Sequence, residues 1–331
     1  MTYGPADRHG VFRQAWWLPG GHLQTLGGKY LRRVPDFPLT RRRLETPDGD
    51  FLDLDMGPDP DVSSPLILLL HGLEGFSRRP YILHAMNVLQ AGGMACVAMN
   101  FRGCSGEPNR LPRLYHSGET EDAGLVLARL REQWPHRPLG ALGFSLGGNV
   151  LLKLLGERPE GGADVLDAAA AVSVPYDLEA GVTFLEGSPL GTIYTKYFLD
   201  SLKRKVEGKR ALLEPILDLG RVMATETLRA FDDVATAPLH GFRGATDYYT
   251  RSSSGQFLQG IRVPTLLIHA RNDPFLPREA IPRESMAANP HLTPLVSGGG
   301  GHVGFVGGRL PWRPHFWAEG RIQEFFRDHL L

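Results

Sequence analysis

Residues 139–156 read LGALGFSLGGNVLLKLLG. Within them Gly143-Phe144-Ser145-Leu146-Gly147 fits G-x-S-x-G, the pattern that sets a serine on a sharp strand-to-helix turn. A motif this short also arises by chance, and a plain Gly-rich strand-to-helix turn fits the same residues. The flanks add weight. Residues 138–143 read as a short buried strand, and Leu146, Val150, Leu151, Leu154 and Leu155 follow at helical spacing. Gly156 stands where a helix C-terminus favours glycine. Each residue type has a physical reason. Gly143 and Gly147 let strand and helix approach closely, and the turn points the Ser145 hydroxyl outward. The Leu146 N–H opens the helix, where unpaired donors and the dipole favour an anion such as a developing oxyanion.

The chain has 331 residues, 42% of them hydrophobic, enough for one large domain or two small ones with a sizeable core. Its 36 Lys and Arg balance its 36 Asp and Glu, so no global field steers nucleic acid or an anionic membrane toward it. Cys96 falls in an apolar run and Cys104 in a loop. Two cysteines support no disulfide framework, and the easier setting is a reducing cytoplasm. The opening residues lack the apolar stretch of a signal peptide, and no run is long enough for a transmembrane anchor. Nothing in the sequence sets the oligomeric state.

Outward from the motif, a strand–helix rhythm starts at Pro65 and predicts a mostly parallel sheet with helices on both faces. Residues 66–70 and 94–100 read as strands, with a helix over 81–91 between them. A further helix starts from an N-cap at Ser117 and runs to about Trp134. Residues 167–174 are another strand. From 178 to 260 the strand rhythm stops and the chain reads as an inserted helical cap, in which Lys203, Arg204, Lys205, Lys209 and Arg210 form a solvated face. The rhythm resumes with a strand at 264–270, a helix at 278–288, a strand at 292–296 and a C-terminal helix over 316–331. Residues 1–177 and 261–331 therefore form the core, and 178–260 the insertion. The segment 1–39 is irregular and packs on the core, with 16–25 near the site and His22 a packed histidine. Residues 41–46 and 51–56 flank an Asp-Gly turn and form a hairpin, with Arg41-Arg42-Arg43 on a solvated face.

A serine hydroxyl needs a base, and the base needs an orienting third group. In a sheet of this kind the chain order is Ser, then an acid, then His, with the acid just past a strand C-terminus. Asp273 follows the strand at 264–270, and His302 follows the last strand in a glycine-rich loop. Asp177, after the preceding strand, is a rival for the acid. His71-Gly72-Leu73, after the first core strand, places the Leu73 N–H as a second oxyanion donor beside that of Leu146. Glu74 has no partner acid and is no nucleophile; Cys104 has no turn to present it. Neither a metal-ligand spacing nor a phosphate loop is present, so neither metal nor cofactor is expected.

With these parts in place the sequence resembles the α/β-hydrolase superfamily. More narrowly it resembles the AB hydrolase 4 family, the YheT-like esterases, which include mammalian abhydrolase-domain lipid hydrolases. The matching stretches are Gly21-His22-Leu23-Gln24-Thr25, His71-Gly72-Leu73-Glu74-Gly75, Asn100-Phe101-Arg102-Gly103-Cys104-Ser105-Gly106, residues 143–148, Asn272-Asp273-Pro274-Phe275 and Gly301-His302-Val303-Gly304-Phe305. Phe231-Asp232-Asp233 through Gly241-Phe242, with Asp247-Tyr248-Tyr249, also match. The resemblance implies a charge-relay triad of Ser145, Asp273 and His302 and carboxylesterase activity. The expected substrate is a small-molecule ester with an apolar acyl group, in a pocket shaped by Phe184, Tyr194, Tyr197 and Phe198. A lipase, a thioesterase and an acyltransferase would use the same triad. A hydrolase-fold binding protein that has lost catalysis would commonly lack one of its members.

Overall fold

Eight strands form one sheet in the order β1-β2-β4-β3-β5-β6-β7-β8. They are Thr40–Glu45 (β1), Phe51–Met56 (β2), Leu66–Leu70 (β3), Ala95–Asn100 (β4), Leu139–Phe144 (β5), Ala168–Val172 (β6), Thr265–Ala270 (β7) and Leu292–Ser297 (β8). β2 runs antiparallel to β1 and β4, and β3 to β8 pair in parallel. The structure is a computed structural model that describes residues 11–33, 37–59 and 61–331; residues 1–10 and 34–36 of the N-terminal segment lie outside the described residues.

The helices are Gly20–Tyr30 (α1), Pro80–Ala91 (α2), Glu121–Gln133 (α3), Leu146–Glu157 (α4), Leu178–Glu186 (α5), Gly191–Gly208 (α6), Arg210–Leu213 (α7), Leu219–Ala224 (α8), Leu228–Phe231 (α9), Ala237–Leu239 (α10), Ala245–Ser252 (α11), Arg283–Ala288 (α12) and Trp317–Leu330 (α13). Side chains alternate across a strand, so each central strand feeds two cores. Leu66, Leu68 and Leu70 of β3 meet Val126 of α3 and Leu151 of α4 on one face. Ile67 and Leu69 meet Ile82 of α2 and Phe326 of α13 on the other. Burial on both faces is why these strands read as continuous apolar runs. Between β6 and β7 the chain is helical from α5 to α11 and carries an apolar cluster of its own, including Leu199, Val206, Val222 and Phe231.

Several expectations are corrected. The 1–39 segment is not irregular throughout, because α1 lies inside it. Gly20, Gly21, Gly27 and Gly28 are poor helix formers, and tertiary contacts override that propensity. The buried Gln24 amide donates to the carbonyls of Leu18 and Val306 and accepts the Val306 N–H. Ser117 is not the cap of α3. Thr120 holds that position, and Ser117 instead bridges outward, its N–H donating to Tyr248 Oη and its carbonyl accepting from Asn149. The helix expected over 278–288 breaks, because Pro282 interrupts it: a 3₁₀ turn ends at Ala280, and α12 starts at Arg283. Arg41 and Arg43 are not merely solvated. Each reaches across the hairpin to a buried carboxylate, Asp55 and Asp53 respectively.

Candidate active site

The site gathers at the C-terminal ends of β3, β5, β7 and β8. Ser145 links β5 to α4 at φ +52°, a left-handed conformation that serine rarely adopts. Its N–H donates to the Val172 carbonyl of β6 at 2.8 Å, and its own carbonyl accepts the Asn149 N–H. Glycine is required close by. A Cβ on Gly147 would stand 2.5 Å from the Leu70 carbonyl oxygen, and one on Gly143 would stand 2.5 Å from that of Gly147.

His302 lies in the loop after β8. Its Nε2 is 2.9 Å from Ser145 Oγ and its Nδ1 is 2.7 Å from Asp273 Oδ2. Asp273 follows β7 with its side chain fully buried, and its other oxygen accepts the Phe275 N–H at 2.8 Å. The Phe275 ring packs 4.4 Å from the imidazole. The His302 loop is braced from the N-terminal segment, since its backbone N–H donates to Thr25 Oγ1 of α1. The structure thus brings Ser145, Asp273 and His302 into one hydrogen-bonded line. Asp177 is elsewhere, capping α5 through the Ala180 N–H.

Leu73 and Leu146 line one cavity with Ser145 and His302. Among the described residues neither backbone N–H has a hydrogen-bond acceptor. His71 is wholly buried. Its Nδ1 meets the Gly72 carbonyl, its Nε2 accepts the Phe101 N–H, and burial drives its pKa down to about 3, so it stays neutral and braces two strand ends. His22 packs flat against Tyr194.

The cavity encloses about 130 Å³ and runs from the serine under the helices between β6 and β7, against Leu178, Val182 and Leu202. Of the four aromatics expected to shape it, only Phe198 lines it. Tyr194 meets Phe275 edge-on behind it, Phe184 is exposed, and Tyr197 lies at the surface against Phe198.

Two features escaped the sequence reading. Asp232 also lines the cavity, on a π-helical turn over Asp232–Thr236. It accepts from Thr236 and Tyr249, and burial pushes its carboxyl up to about 6. Asp232 and Asp233 both stand between Phe231 and Val234 in a matching stretch, and nothing in the sequence tells which of the two turns inward. The second feature is the expected solvated face of basic residues. Lys205 turns inward to Glu74, while Lys209 caps the carbonyls of Leu111 and Arg113 and Lys203 caps those of Met223 and Thr225. Cys104, read as a loop cysteine, is buried against Lys205. Long Lys stems bury readily once their ammonium groups find acceptors, and no periodicity reveals that.

A mostly parallel sheet with a serine on a left-handed strand-to-helix turn, backed by an imidazole and a buried carboxylate, defines an α/β hydrolase of the esterase and lipase type. Residues 65–308 match the model of the alpha/beta hydrolase fold family, and the chain belongs to that family. It is 41% identical to YheT of Escherichia coli K12, an esterase by name, over 93% of this chain and 91% of that protein. It is 34% identical to the phospholipase ABHD3 of Mus musculus, over 89% of this chain and 73% of that protein. Among solved structures, the Pyrococcus furiosus esterase Pf2001 shares the fold with a TM-score of 0.58 at 16% identity, covering 89% of this chain and 94% of that one. Among the described residues no helix is long and apolar enough to cross a membrane.

Proposed function

We propose that the chain hydrolyses carboxylic esters with an apolar acyl group through an acyl-enzyme on Ser145. The observation that carries this reading is the line from Ser145 Oγ through His302 Nε2 and Nδ1 to Asp273 Oδ2, at 2.9 and 2.7 Å. His302 takes the Ser145 proton as Oγ attacks the acyl carbonyl. The Leu73 and Leu146 N–H groups hold the oxyanion. His302 then protonates the leaving alcohol, and the same base activates the water that frees the acid. Asp273 fixes the tautomer and steadies the imidazolium. Residues 178–260 act as a cap over a core of 1–177 and 261–331, and the cap's apolar underside receives the acyl chain. The balanced charge fits a small-molecule partner rather than nucleic acid, and the free, buried Cys96 and Cys104 fit a reducing cytoplasm.

A p-nitrophenyl ester series of increasing acyl length tests the reading. The expected result is a kcat/KM that rises with chain length and then falls once the chain outgrows the cavity, all of it abolished in Ser145→Ala. Turnover that persists in Ser145→Ala would overturn it.

A further inference from the structure

Glu74 directly follows Leu73 and holds φ at +54°, a left-handed conformation that glycine would adopt more easily. The residue is buried, and every polar atom it has is held. Its N–H donates to Tyr115 Oη at 2.7 Å, and its carbonyl accepts from Arg79 at 2.8 Å. One carboxylate oxygen accepts from Tyr115 at 2.7 Å and from Lys205 at 2.8 Å, and the other accepts from Ser201. Burial alone would push this carboxyl up. Lys205 above all, with Ser201 and Tyr115, outweighs burial and keeps it below the ordinary range.

Two of these partners, Ser201 and Lys205, lie on α6. The same helix presents Phe198 and Leu202 to the cavity. A non-glycine residue persists in a left-handed conformation only where its surroundings over-determine it, and such positions cluster at functional sites. Here the surroundings are side chains distant in sequence, gathered on the residue next to an oxyanion donor.

We propose that Glu74 is a positioning residue for the oxyanion loop, and that α6 sets it: the Leu73 N–H points at the reacting carbonyl because Lys205 and Ser201 hold Glu74 in place. The helix that lines the acyl cavity then also completes the oxyanion hole. The proposal rests on the reading of Leu73 as an oxyanion donor in a serine esterase.

The test measures kcat and KM of the full chain on its best p-nitrophenyl ester, per active site as titrated with a fluorophosphonate. Glu74→Gly relaxes the backbone but removes the clamp, and kcat is expected to fall about 100-fold with KM within about threefold. Glu74→Gln keeps partners for Tyr115 and Ser201 and is expected to restore kcat to within about tenfold of the parent, a rescue that a merely structural role would not give. Lys205→Met, altered only on α6, lowers kcat about tenfold, and adding it to Glu74→Gly costs little more, because the two act as one unit. An unchanged kcat in folded Glu74→Gly, or a loss confined to KM, would overturn the proposal and leave the esterase reading intact. Turnover that survives Ser145→Ala would overturn both.

Discussion

The turn at Ser145 and the turn at Leu73 open onto the same cavity, yet they are held by opposite means. At Ser145 the backbone is fixed by what is missing: Gly143 and Gly147 leave no room for a Cβ, and strand, turn and helix close on one another. At Leu73 the backbone is fixed by what is added. Glu74 carries a side chain where glycine would be easier, and Tyr115, Ser201 and Lys205 bind it from outside the loop. The first arrangement is held by the central sheet, since Gly147 packs on the Leu70 and His71 carbonyls and the Ser145 N–H donates to Val172 of β6. The second ties the loop to the helices between β6 and β7.

The largest expected effect breaks the glycine-held turn. Gly147→Ala places a Cβ 2.6 Å from the His71 carbonyl oxygen as well as against that of Leu70, and backbone cannot rotate aside. Activity should fall by at least about 100-fold, since a misplacement near 1 Å costs that much. Gly320→Ala, in α13 with open space around it, should leave kcat unchanged and raise thermal stability. Equal losses in both would erase the distinction.

A second substitution asks whether any buried side-chain clamp matters to catalysis or only the one beside Leu73. Arg32, just past α1, donates to Glu319 of α13 at 2.8 Å, with His84 3.3 Å away. Burial pushes the Glu319 carboxyl up, but Arg32 and His84 pull it down to about 2. A carboxyl lower in the folded state stabilises the fold above its ordinary value near 4.5, and that contribution fades as pH drops toward 2. Glu319→Gln should cost about 3 kcal/mol at neutral pH and flatten the acid limb of a stability profile. Its kcat per folded molecule should stay at the parent value.

The smallest effect is expected at Asp232. Burial raises its carboxyl from 3.8 to about 6, so ionising it weakens the fold as pH rises through that window. Asp232→Asn removes the titration but leaves one donor of Thr236 or Tyr249 without its acceptor. At neutral pH the two effects offset to within about 1 kcal/mol, and the readout is a smaller loss of melting temperature between pH 4 and 6.

The same contrast explains what was legible in the sequence. β3 to β7 announced themselves because burial on both faces turns strands into apolar runs, and the strand–helix alternation implied parallel pairing, to which the half-exposed edge strand β8 was added. Ser145, Asp273 and His302 were singled out by chain order and by their places after strand ends, and they lie in one hydrogen-bonded line. The four glycines of α1 hid a helix held by tertiary contacts, those of Gln24, Thr25 and His22 among them. Lys205 and Glu74 are 131 residues apart, and nothing local to either signals the other. Glycine-enforced geometry is written in the motif itself, whereas clamp-enforced geometry depends on how distant helices pack.

The central claim is that Ser145 is the nucleophile. Labelling the folded chain with a fluorophosphonate probe and locating the adduct by peptide mass spectrometry tests it directly. The account predicts one adduct, on Ser145, lost together with ester turnover in Ser145→Ala. A folded chain that takes no adduct at Ser145, or that still turns over esters as Ser145→Ala, would contradict it.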